Sequence, residues 1–227
     1  MAKIWYLGHS CFHLEIDGVN ILTDPFVTDN PLAKDIDLTT VKADVILVTH
    51  GHGDHIGDMV KLAKQTKALV ICNYEIFLWL EKQGYSYCKP MNYGGNIESH
   101  GVEFKVVAAA HSSSFPDGSY AGNPVGFVIS GQNDCLYYAG DTGLTVEMKL
   151  LKEMFKLTGA FLPIGDTFTM GPTDAAIAAT FCGTDNVMGM HFDSFDVIKI
   201  DHDKARIAFQ DKGINLILPE VGEKLEF

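Results

Sequence analysis

Val45-Ile46-Leu47-Val48-Thr49-His50-Gly51-His52-Gly53-Asp54-His55-Ile56-Gly57-Asp58-Met59 is the stretch on which the fold turns. A continuous apolar run, rich in β-branched residues, ends in three histidines and an aspartate. Such a run reads as a strand at Val45–Thr49 buried on both faces. The glycines let the backbone turn tightly, so that His50, His52, Asp54 and His55 converge. His50 and His52 alternate with Gly51 and point the same way in extended chain. Asp54 and His55 are adjacent and splay apart, which suits two metal ions better than one. Imidazole and carboxylate are the usual donors for zinc, manganese and iron. By chance the pattern arises in roughly one sequence of this composition per thousand, so a solvated histidine-rich turn is a poor explanation.

Four donors do not fill two metal spheres. Three more polar residues sit at the tips of apolar runs. His111 follows Val106–Ala110, Asp141 follows Leu136–Gly140, and His191 follows Val187–Met190. Each alone reads as an ordinary satisfied polar group. Beside the first cluster they read as ligands brought in from other strands.

Around this stretch the pattern is strand-rich, then mixed, twice over. Strands are expected at Lys3–Leu7, Cys11–Ile16 and Val19–Thr23, the last two joined as a hairpin by Asp17-Gly18. Residues 25–42 read as a long loop. A helix is expected to start just after the histidines, followed by a strand at Ala68–Cys72 and a helix near Tyr74–Gln83. The second half predicts strands at Val102–Ala109, Val125–Ser130, Cys135–Ala139, Ala160–Ile164, Val187–Met190 and Ile214–Leu218. Helices are expected near 145–157, 172–182 and 201–212, and 112–124 reads as loop. No linker, repeat or low-complexity segment interrupts the pattern, so one domain is expected over 1–227, with sheets inside and helices outside.

With 227 residues, 47% hydrophobic and 20% charged, the chain is ordinary for a soluble globular protein. No apolar run reaches the length of a membrane span, and the N-terminus lacks the pattern of a signal peptide. The five cysteines are scattered and never spaced Cys-x-x-Cys; they read as reduced, buried thiols of a cytoplasmic protein. A formal charge of −12 with Arg206 as the sole arginine argues against a nucleic-acid partner.

The Thr-His-x-His-x-Asp-His pattern at 49–55, His111, Ala139-Gly140-Asp141-Thr142 and His191 resemble the metallo-β-lactamase superfamily, in the expected order and over nearly the whole chain. The resemblance implies an α/β (α+β) fold, a four-layer αββα sandwich with a dinuclear centre at one edge of the sheets. It also implies an assignment: His50, His52 and His111 on one metal, Asp54, His55 and His191 on the other, and Asp141 bridging. Tyr6-Leu7-Gly8-His9-Ser10, Leu22-Thr23-Asp24-Pro25-Phe26, Leu162-Pro163-Ile164-Gly165-Asp166 and Met170-Gly171-Pro172-Thr173-Asp174-Ala175 narrow the likeness. They resemble a branch of small stand-alone metal-dependent hydrolases of unknown substrate, similar to the ascorbate-phosphate lactonases.

The expected function is therefore hydrolysis of a small-molecule ester, lactone or phosphodiester by a metal-bridging hydroxide, with Asp54 and Asp141 as catalytic carboxylates. Two divalent ions are expected, zinc first, with manganese, nickel or iron open. The rivals are a non-catalytic metal scaffold or sensor, and a nuclease of the same superfamily. His9, Asp24 and Asp166 are candidates for supporting a ligand or touching substrate. Asp174 reads as a helix N-terminal residue. His13, His100 and His202 read as surface or satisfied histidines. A small-molecule substrate is expected, without nucleic acid or membrane; self-association is left open.

Overall fold

The computed structural model describes residues 1–227. Its strands are β1 Lys3–Gly8, β2 Cys11–Ile16, β3 Val19–Thr23, β4 Val45–Leu47, β5 Leu69–Cys72, β6 Cys88–Pro90, β7 Asn96–Ser99, β8 Val102–Ala108, β9 Val125–Ser130, β10 Cys135–Tyr138, β11 Gly159–Pro163, β12 Asn186–Met190, β13 Asn215–Ile217 and β14 Lys224–Glu226. Its helices are α1 Gly53–Ile56, α2 Met59–Thr66, α3 Tyr74–Lys82, α4 Met148–Met154, α5 Pro172–Cys182 and α6 His202–Gln210. No helix is long and apolar enough to cross a membrane.

Two seven-stranded mixed sheets form, in the orders β14-β1-β2-β3-β4-β5-β6 and β13-β12-β11-β10-β9-β8-β7. Alternation along the strands explains the layers. Ile4, Tyr6, Phe12 and Leu14 of the first sheet share one buried core with Phe104, Phe127, Tyr138 and Phe161 of the second. The opposite face of the first sheet, with Leu7, Leu22, Ile46, Val48 and Val70, packs under Met59, Leu62, Ile76 and Leu80 of α2 and α3. Ala175, Ala178 and Ala179 of α5 and Phe209 of α6 join the larger core from the second sheet's side. Helices therefore lie outside two facing sheets, as the αββα expectation requires.

Parallel pairing places the chemistry. β4 lies between β3 and β5, parallel to both, with Thr23 opposite Leu47. The residues just beyond these strands, Asp24 and Val48-Thr49-His50, therefore emerge together. In the second sheet β10, β11 and β12 are parallel, with Tyr138 opposite Phe161 and Pro163 opposite Met190. Asp141 and His191 consequently leave the same end.

Several expectations are corrected. β4 stops at Leu47, and Val48–His50 leads from its end into the site as irregular chain. The helix after the histidines starts earlier than expected, at Gly53, so Asp54 and His55 sit within a short helical turn. Three short strands, β6, β7 and β14, were not anticipated; each has at most four residues and an exposed or half-exposed pattern that carries little periodic signal. The cysteines form no disulfide, but only Cys11, Cys72 and Cys182 are buried; Cys88 and Cys135 are half-buried.

Candidate metal centre

The strand ends and one helical turn bring seven side chains together. One carboxylate oxygen, Asp141 Oδ2, lies 3.0 Å from His191 Nε2, 3.3 Å from His55 Nε2, 3.5 Å from His111 Nε2 and 3.9 Å from His50 Nε2. On one flank His50 Nε2 faces His52 Nδ1 at 3.0 Å, and His111 completes a group of three. On the other flank Asp54 Oδ2 lies 3.7 Å from His191 Nε2 and 3.9 Å from His55 Nε2. His9 joins this second group, its Nε2 3.1 Å from Asp54 Oδ2.

The donor chemistry suits metal ions. Imidazole and carboxylate are the usual donors for divalent metal ions, and the donor atoms of each group here lie within 4.8 Å of one another. His55 Nε2 and Asp141 Oδ1 are buried without a hydrogen-bond partner, a costly state for polar atoms that a metal ion relieves.

Hydrogen bonds outside the cluster fix its histidines. Asp24 is fully buried, and its Oδ2 accepts from His55 Nδ1 at 2.9 Å. The Thr49 hydroxyl donates to the same oxygen at 2.7 Å, and the Tyr138 hydroxyl lies 2.8 Å away. Asp24 Oδ1 accepts from the Thr49 amide at 2.8 Å. Thr49 Oγ1 also lies 3.0 Å from His50 Nδ1, so one threonine touches both His50 and the aspartate that orients His55. These bonds settle which nitrogen of His50 and His55 is left for a metal.

His9 sits between both sheets' contributions. Since a carboxylate only accepts, Nε2–H of His9 donates to Asp54, and Nδ1 accepts from the Ser194 hydroxyl at 3.1 Å. Its backbone carbonyl accepts from His191 N at 2.9 Å. His9, Asp24 and His191 all have left-handed backbone, with φ of 59°, 34° and 55°. Such strain in three neighbours of one site is a common mark of function. His111 is placed by the loop after β8. Ala110 donates from its amide to Thr142 Oγ1 at 3.0 Å, and Gly143 N donates to Ala110 O at 3.0 Å, so the segments of His111 and Asp141 are tied directly.

Charges within the cluster follow from burial and neighbours. Burial lowers His50 well below the usual imidazole range, helped by His55. Burial also opposes protonation of His55, but Asp141, Asp54 and Asp24 outweigh it and hold that imidazole well above its ordinary value. His191 follows the same balance: burial pulls down, Asp141 dominates, and the group is raised to about 9. His9 is lowered to about 4 by burial and by His191, against the pull of Asp54. Burial works against ionisation of Asp141 and Asp54, yet the surrounding histidines hold both carboxyls well below the usual range.

The remaining candidates fall outside. Asp166 is exposed, and its side chain accepts from the neighbouring Thr167 amide at 2.8 Å within its own turn. It does not join the cluster, because the left-handed turn at Asp166 and Thr167 carries it outward. Asp174 is exposed in the first turn of α5. His100 and His202 are exposed and His13 half-buried, all away from the cluster; His202 Nε2 pairs with Asp193 at 2.6 Å. Sequence reasoning gave no role to Thr49, Asp58, Tyr138, Thr142 or Ser194. Thr49 and Asp58 lie inside the decisive stretch, whereas nothing local marks Tyr138 or Ser194.

Facing mixed sheets, flanking helices and a His/Asp centre at the strand ends together define a protein of the metallo-β-lactamase class. A family model described as a β-lactamase superfamily domain matches residues 3–191. A UPF0173 metal-dependent hydrolase of Methylacidiphilum infernorum is 51% identical over 98% of this chain and 99% of its own length. One from Flavobacterium johnsoniae is 47% identical over 99% of both. Among solved structures, a metallo hydrolase from the archaeon Ignicoccus hospitalis is 34% identical, with a TM-score of 0.89 over 100% of this chain and 99% of that one. The chain belongs to the UPF0173 family of metal-dependent hydrolases within the β-lactamase superfamily.

Proposed function

We propose that this protein hydrolyses an ester, lactone or phosphodiester bond in a small molecule, using two divalent metal ions. His50, His52 and His111 would hold one ion, Asp54, His55 and His191 the other, and Asp141 would bridge them. The single observation carrying this reading is the approach of four imidazole nitrogens to Asp141 Oδ2 within 3.0–3.9 Å. The chemistry such a pair supplies is a hydroxide nucleophile at neutral pH and neutralisation of the developing charge on the substrate oxygens. Zinc, manganese, nickel and iron all accept this donor set.

The chain's own groups divide the remaining work. Asp24 and Thr49 orient His55 and His50. The Asp141 side chain is 3% exposed and serves to hold ligands together. The Asp54 side chain is 30% exposed, so it is the carboxylate within a substrate's reach, steadied by His9. Elemental analysis of protein purified without chelators, with an ester and phosphodiester panel on the same sample, tests the reading. About two metals per chain and metal-dependent turnover are expected. Both should vanish together in His52→Ala and Asp141→Ala. Turnover that survives in a metal-free variant would refute it.

A further inference from the structure

We propose that Phe195, backed by Phe26 and the ring of His9, is the wall against which the apolar part of an uncharged substrate lies. On this assignment the centre takes an ester or lactone carrying an aryl or alkyl group in preference to a phosphodiester. The proposal rests on the hydrolase reading above and narrows its substrate class.

Three rings meet beside the metal centre. The Phe195 ring lies edge-on to His9 at 5.7 Å and 6.3 Å from Phe26, while His9 and Phe26 are themselves 5.7 Å apart. His9 in turn contacts Asp54 at 3.1 Å, and its ring centre lies 4.1 Å from that of His191, the planes tilted by 44°. His9 is fully buried and Phe26 is 6% exposed, but Phe195 is 37% exposed. Its inner side rests on the site and part of its surface faces solvent. The exposed third of the ring is apolar area left in water at the edge of the site.

The ring is also held in place. Ser194 bonds to His9, Ile198 N donates to Phe195 O at 3.1 Å, and Asp193 N donates to Ile198 O at 3.0 Å. Thr167 Oγ1 donates to Val197 O at 2.9 Å, which locks this turn to the turn after β11. The two turns carry further exposed apolar side chains, Phe168 at 58% and Val197 at 59%. An ordered apolar surface continuous with polar, reactive groups is the usual make-up of a small-molecule site.

Charge points the same way. No lysine or arginine is ion-paired to any residue of the cluster. The cation on the Phe195 turn, Lys199, is spent on Asp196 at 2.6 Å. A phosphodiester keeps its negative charge when bound and gains from side-chain cations beside the metal ions. An ester or lactone does not.

The test uses cobalt(II)-loaded protein, titrated with acetate, butanoate, hexanoate and phenylacetate, the acid products of such esters. Dimethyl phosphate is the phosphodiester probe, and the visible spectrum of cobalt is the readout. The dissociation constant should fall about two- to fourfold per methylene, as for partial burial against an apolar wall. Phe195→Ala should flatten that series with cobalt content unchanged. Ile207→Ala, an exposed apolar residue on α6, should leave it intact. A flat series in the parent protein, a slope that survives Phe195→Ala, or dimethyl phosphate binding more tightly than hexanoate would overturn the proposal. Because the readout needs no turnover, a steep series without hydrolysis of any ester would refute the hydrolase reading and leave the wall standing. Failure to take up cobalt would overturn both.

Discussion

His55 Nδ1 and Asp24 Oδ2 lie 2.9 Å apart, both side chains fully buried, on segments 31 residues apart in sequence. The bond commits Nδ1 of His55 as a donor and leaves Nε2 facing Asp54 and Asp141. Asp24 owes this position to the left-handed turn that ends β3 and to the parallel pairing of β3 with β4. Asp24→Asn keeps the shape but removes the charge that favours the correct tautomer. Metal affinity is expected to drop about 10–100-fold, measured by competition with a chromogenic chelator. Asp24→Ala also takes the acceptor from the Thr49 amide and hydroxyl and should cost about 3 kcal/mol in denaturant unfolding.

Metal loading should release protons. In the metal-free protein at pH 7, His191, raised to about 9, and His55, held well above its ordinary value, carry protons that a metal ion must displace. Titration calorimetry in buffers of different ionisation enthalpy should show release of about one to two protons per chain at pH 7. The sign follows from the upward shifts. The protons stabilise the metal-free fold at low pH, and that contribution is lost as pH rises through about 9. Metal affinity therefore falls as the solution is acidified, and proton release shrinks above pH 9. Release that is constant from pH 6 to pH 10 would contradict this balance.

Gly140 precedes Asp141 and has a φ of +60°. A Cβ there would meet Thr49 Cγ2 at 2.6 Å. Gly140→Ala combines left-handed strain with a clash against the threonine that touches both His50 and Asp24. About 2–4 kcal/mol of destabilisation is expected by denaturant unfolding. Metal affinity should fall with it, whereas Gly118→Ala, also left-handed but with open space around it, should leave metal binding unchanged.

Asp58 is buried directly after the histidine motif and takes no part in the His/Asp cluster. Its carboxylate accepts from the amides of Val27 and Thr28, at 2.7 and 2.8 Å, and from the Thr28 hydroxyl. It thereby anchors the chain that carries Phe26 past the site. Asp58→Ala should cost about 2 kcal/mol by thermal or denaturant unfolding. Metal content should be retained. Loss of metal without loss of stability would assign Asp58 to the centre itself.

The helix start at Asp174 and the hairpin at Asp17-Gly18 are local features and therefore legible in the sequence. Asp174 stands in the first turn of α5 after Pro172, as its sequence neighbourhood predicts. The Asp17-Gly18 hairpin joins β2 and β3 in the register that its turn dictates. Asp166 shows the limit of the same reasoning. Its motif context suggested a place near the centre, but two successive left-handed residues, Asp166 and Thr167, turn it to solvent. Backbone handedness at a non-glycine residue is set by the contacts that surround it.

What the sequence by itself determined is the chemistry: a buried strand running into His-x-His-x-Asp-His, and apolar runs ending in His111, Asp141 and His191. Residue type and spacing along one strand or turn are local properties, so they can be read from neighbours in the chain. Only the tertiary structure decided that Asp141 Oδ2 faces four imidazoles, that Asp24 rather than Asp166 bonds to a histidine of the cluster, and that Phe195 lies against His9. Those relations join segments tens to more than a hundred residues apart. They are fixed by strand order and by the packing of one sheet on the other, where burial and hydrogen-bond satisfaction leave each polar group few partners.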